Sequence, residues 1–126
     1  MARTSAFSMR HDGVLWRGDG ETLLVQAWGP NALRVRATRA GEIVDTDFAL
    51  LEPAPTEPTV LLGAGDDAET AVVQSGRISA HLRATTEIDV TLGHEVLRCS
   101  LEFRDASGRV LLRDTDSTLA ILHQLR

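Results

Sequence analysis

Glu21 to Arg39 reads ETLLVQAWGPNALRVRATR. Leu23, Val25 and Ala27 fall at every second position of the first half. Leu33, Val35 and Ala37 do the same in the second. Alternation with period two is the pattern of a strand with one buried face. Trp28-Gly29-Pro30-Asn31 separates the halves. Gly-Pro stops either strand from continuing and favours a reversal. The stretch therefore predicts an antiparallel hairpin, with Arg34 and Arg36 directed away from the core.

The same rhythm extends in both directions. Phe7–Arg10 and Val14–Arg17 predict two short strands around the Asp12-Gly13 turn. Ile43–Leu51 is apolar but interrupted by Asp45-Thr46-Asp47. Glu52–Pro58 holds three prolines in six residues (53–58), each without a donor for a ladder, and reads as a surface connection. Thr59–Leu62 is a short strand, and Gly63–Asp67 a loop. Glu69–Gln74 and Arg77–Arg83 are expected to pair through Ser75-Gly76. In the second arm Ile78, Ala80 and Leu82 face one way, and Arg77, Ser79, His81 and Arg83 the other.

Glu87–Leu92 is expected as a separate strand, turned by Gly93-His94. Val96–Arg104 points Leu97, Cys99, Leu101 and Phe103 inward. Asp105-Ala106-Ser107-Gly108 is a turn before a strand at Val110–Arg113. Ser117–Leu125 fits either a short helix or a strand end. About ten short strands with Gly, Pro and Asp between them predict an all-β antiparallel sandwich or barrel.

Composition agrees with one domain spanning residues 1–126. The chain is 43% hydrophobic and 25% charged, so a core can form, but only 4% aromatic with no Tyr. Leu, Val, Ala and Ile must fill that core. The net charge of -5 argues against a nucleic-acid partner, which needs a cationic footprint. All thirteen basic residues are Arg, scattered along the chain. One cysteine, Cys99, excludes an internal disulfide and a zinc site with several thiolates. No apolar run reaches the length of a membrane span, and the N-terminus has no apolar signal core. A cytoplasmic location is the expectation.

His11, His81, His94 and His123 have no metal-binding spacing. Asp45/Asp47 and Asp114/Asp116 could share strand faces, but they fit solvated turns better than a calcium loop. Gly63-Ala64-Gly65 lacks the Lys and helix of a phosphate loop. Cys99 sits on an inward face, where a thiol acts as a small hydrophobe. No metal, cofactor or catalytic residue is assigned. Two tryptophans could stack a sugar ring. Trp28, at the turn, is the better candidate; Trp16 is the second, and packing is the commoner role for either.

The order of elements carries a resemblance. Gly20–Arg39, then Phe48-Ala49-Leu50-Leu51, then AVVQSGRISAHL (71–82), then LRCSLEFRDASGRVLLRD (97–114) is similar to the N-terminal β-sandwich of glycoside hydrolase family 31, the α-xylosidase and α-glucosidase family. The likeness runs from Phe7 to Leu112. It rests on the LRVRAT strand (Leu33–Thr38), the Gly-turned hairpin and a strand ending F.D..G..L. It implies a supersandwich related to galactose mutarotase. It further implies a non-catalytic domain that supports a (β/α)8 barrel and helps shape a carbohydrate site. In the family the catalytic aspartates lie on that barrel, so none is carried onto this chain. A later YG.G motif of the sandwich is absent here. The resemblance thus makes the chain an expected fragment, incomplete at its C-terminal end. Carbohydrate would be met through the parent enzyme; the alternative is a stand-alone carbohydrate-binding or protein-interaction β-sandwich. Open edges and the apolar Leu119–Leu122 make self-association an expectation.

Overall fold

The computed structural model describes residues 6–18, 20–39, 57–65 and 68–114. Its elements are nine strands: β1 (Phe7–Arg10), β2 (Gly13–Gly18), β3 (Glu21–Ala27), β4 (Leu33–Arg39), β5 (Thr59–Ala64), β6 (Ala68–Ser75), β7 (Ile78–Asp89), β8 (His94–Arg104) and β9 (Val110–Asp114). They form two antiparallel sheets. One is ordered β1-β2-β3-β4 and the other β5-β6-β7-β8-β9. Both are meanders, because every link between paired strands is short enough for neighbours to meet first. The expected antiparallel sandwich is what the chain forms.

The core lies between the sheets. Phe7, Val14, Trp16, Leu23 and Val25 come from the first sheet. Ala71, Val73, Ala80, Leu82, Ala84, Cys99, Leu101 and Phe103 come from the second. Register explains the partition. Phe7 pairs with Trp16, Trp16 with Leu23 and Leu23 with Ala37, so one inward row crosses all four strands. Val73, Ala80, Phe103 and Leu112 make the matching row in the other sheet. A methyl at Gly18 would collide with the Trp16 ring and crowd Leu97, so the glycine admits the indole at the end of β2.

The opening hairpin is confirmed as β3 and β4, paired from Glu21↔Arg39 to Ala27↔Leu33. One expectation needs correction. Alternation gave β3 a single buried face, yet Thr22, Leu24 and Gln26 on its other face are buried too. Leu15 of β2, opposite Leu24, is buried with them.

Three boundaries also move. Gly63 and Ala64 belong to β5, not to a loop. The β6–β7 turn is Gly76-Arg77, with Ser75 paired to Ile78, one residue later than expected. Glu87–Leu92 is not a separate strand. β7 runs unbroken from Ile78 to Asp89, and Val90–Gly93 make the turn into β8. Its β-branched residues extend a strand already begun, since no Gly or Pro interrupts it. The readings of Ile43–Leu51, of most of the proline connection and of Ser117–Leu125 fall outside the described residues.

Two turns lock the sheets together at one end. Ser75 Oγ, fully buried, donates to the Gly29 carbonyl at 2.6 Å. Asn31 holds φ 59° and its Oδ1 accepts the Arg77 N–H at 2.6 Å. Gly76, at φ 61°, lies against that side chain, where an added Cβ would collide with Asn31 Oδ1. The Ala6 N–H donates to Glu69 Oε2 at 2.8 Å, a further link between the chain start and the second sheet.

Candidate functional site

Trp28 follows the last residue of β3 and opens the turn to β4. Its N–H donates to the Ala32 carbonyl at 2.9 Å, which closes the turn and fixes where the indole emerges. The ring is half-buried. The Arg34 guanidinium lies 4.3 Å from its centroid, a cation–π contact on one ring face. A sugar stacking on Trp28 would use the opposite face. Trp16 is different. It is 1% exposed inside the core, so it offers no platform. Its place in the inward row of β2, opposite Phe7, decides this.

Beside Trp28 runs a polar row across the outer face of the first sheet. Gln26 Nε2 donates to Asp12 Oδ2 at 2.8 Å, and Arg36 Nη2 donates to Gln26 Oε1 at 2.7 Å. The amide thus bridges an anion on the β1–β2 turn and a cation on β4. The Ala27 N–H donates to the Asp12 carbonyl at 2.7 Å and holds that turn against β3. Arg34 and Arg36 do face away from the intersheet core, as expected, and Arg36 is held by Gln26. Sequence alone could place these side chains on one face of their strands. It could not show that Gln26 joins them.

The outer face of the second sheet carries another cluster. His81 Nε2 lies 2.9 Å from Ser79 Oγ. His81 is opposite Glu102, and Glu102 is opposite Arg113. Glu102 accepts from Arg113 Nη2 at 2.7 Å and from Arg104 Nη2 at 3.0 Å. Those two hydrogen bonds hold its carboxyl below the usual range. Burial lowers the His81 pKa and the Arg104 cation adds to this, while Glu102 opposes it. The arrangement is a hydrogen-bonded row in which two guanidinium groups share one carboxylate. Ser79 and His81 were legible as one face; the cross-strand partners were not.

Elsewhere the expected residues stay apart. His11 is exposed on the β1–β2 turn and His94 at the start of β8, and Cys99 is buried in the core. Among the described residues no three His, Cys, Asp or Glu side chains converge as a metal site. Asp45 and Asp47, Asp116 and His123 lie outside the described residues. Asp105 caps its own turn, accepting from the Ser107 N–H, the Ser107 hydroxyl and the Arg109 N–H at 2.9, 2.6 and 2.9 Å. No described helix is long and apolar enough to cross a membrane.

Fold and surface together define a two-sheet β-sandwich whose outer faces carry polar side chains. The chain is related in sequence and fold to a segment of the family 31 glycoside hydrolases. A protein of Pseudescherichia vulneris named an uncharacterized family 31 glucosidase, ORF2, is 33% identical over 103 residues, which span 82% of this chain and 16% of that protein. The crystal structure of a GH31 α-xylosidase from a soil metagenome, complexed with xylose, superposes with a TM-score of 0.62 at 33% identity. That match covers 87% of this chain and 14% of the xylosidase. The chain therefore spans about a sixth of the length of the relatives it matches. No family model matches the sequence.

Proposed function

We propose that this sandwich is a non-catalytic, N-terminal unit of a family 31 α-glycosidase, which supports the catalytic barrel and helps shape the carbohydrate site. The extent of the match carries this reading. Nearly the whole chain aligns with relatives named a glucosidase and an α-xylosidase, yet it accounts for only 16% and 14% of them. The polar faces described above fit packing and support better than turnover, since their polar groups are tied to one another by hydrogen bonds.

The test is a segment exchange in the α-xylosidase. Replacing its equivalent segment with residues 1–126 should preserve turnover of an aryl α-xyloside, and the chain by itself should give none. Turnover by the isolated chain would overturn the non-catalytic reading. A folded chimera without activity would overturn the supporting role.

Trp28 is the residue we assign to sugar contact, on its half-buried ring and its place at a turn. Xylose titrated onto the wild-type chain should shift the Trp28 indole resonance. If only resonances remote from that turn move, the assignment fails. We also infer that the chain alone self-associates, because Leu61, Leu62, Ile88, Val90 and Leu111 are exposed.

A further inference from the structure

Sheet edges present unpaired N–H and C=O groups, and proteins protect them with charge, proline, bulges or brevity. The four edge strands among the described residues differ in that protection. β1 has only four residues and ends in Arg10. β4 carries Arg34, Arg36 and Arg39. β9 ends in Arg113-Asp114, and its ladder with β8 is bulged at Phe103/Arg104. β5 reads TVLLGA, with no charged residue and no proline. It pairs with β6 along its full length, from Thr59↔Gln74 to Ala64↔Glu69. Among the described residues no strand lies on its other side. Leu61 and Leu62, which point to opposite faces, are 60% and 42% exposed.

We propose that β5 is a self-pairing edge, through which two copies of this chain join β5 to β5 and merge their five-stranded sheets. The choice of a second copy rests on charge. An antiparallel pairing about a twofold axis sets a strand against itself. For β4 that would bring arginines together, and like charges facing each other are destabilising. For β5 it brings together only Thr, Val, Leu, Gly and Ala, so nothing opposes the contact. Main-chain hydrogen bonds hold the edge, and the leucines cover it. This locates the self-association inferred above and is independent of the carbohydrate reading.

Sedimentation velocity on the 126-residue chain tests it. The wild type should run at twice its 13.7 kDa mass at tens of micromolar. Leu61→Lys and Leu61→Glu should each weaken dimerisation by about tenfold or more, since each sets like charges close across the axis. Mixing those two variants should restore a dimer, because the introduced cation then faces the introduced anion. A variant that merely misfolds would not be rescued in this way. Val90→Lys, on the turn between β7 and β8, should leave the dimer intact. A monomeric wild type overturns both the β5 assignment and self-association. A dimer that survives both Leu61 variants, a mixture that stays monomeric, or a dimer dissociated by Val90→Lys overturns the β5 assignment alone.

Discussion

Ser75 on β6 and Gly29 in the β3–β4 turn belong to different sheets and lie 46 residues apart, yet the Ser75 hydroxyl donates to the Gly29 carbonyl at 2.6 Å. Both residues are buried. Water therefore has little access to replace the bond. Ser75→Ala should cost about 1–3 kcal/mol, the usual penalty for leaving a buried carbonyl unsatisfied. Urea unfolding checks this: the midpoint should fall with an unchanged slope.

The neighbouring contact gives an ordered pair of expectations. Asn31→Gly keeps a residue at ease with positive φ but loses the acceptor for the Arg77 N–H. Gly76→Ala adds a methyl against Asn31 at a positive φ of its own. The second change should therefore destabilise more than the first. Thermal unfolding of both variants, compared with wild type, decides the order.

Core packing sets a third expectation. Leu82 and Leu101 face each other across β7 and β8 and are fully or almost fully buried. Leu82→Ala should cost about 2–5 kcal/mol. Leu61→Ala, at an exposed position, should change monomer stability by less than about 0.5 kcal/mol. Denaturant titrations at high dilution separate the two.

Acid should weaken the fold in two stages. The His81 pKa is lowered from 6.5 in the folded chain, so the unfolded chain binds the proton first. Stability falls as pH drops below about 6.5 and levels off once the folded pKa is passed. Glu102 is also lowered, from 4.5. Its contribution is present above that value and is lost as pH falls through the folded pKa. His81→Gln should remove the upper stage and keep the lower one. Stability measured against pH for both proteins reads this directly.

Much of the fold was legible in the residues. Alternation at Leu23, Val25 and Ala27, at Ala80 and Leu82, and at Cys99, Leu101 and Phe103 names the core, because a strand shows its two faces with period two; Leu97, read as inward with the last three, is exposed. Glycine, proline and aspartate mark where strands end, as at Asp105, whose carboxylate accepts from its own turn. Nothing local distinguishes a strand covered on one face from one covered on both, so the burial of Thr22, Leu24 and Gln26 went unread.

Strand positions, turn chemistry and the likeness to family 31 thus follow from sequence, since each depends on neighbours a few residues apart or on their order. Tertiary structure alone decided how the hairpins group into two sheets, that Trp16 is core while Trp28 carries Arg34 on its ring, and that Ser75 reaches Gly29. Those relations depend on cross-strand register and on the stacking of two sheets. Register and stacking bring together residues whose separation along the chain leaves no periodic trace.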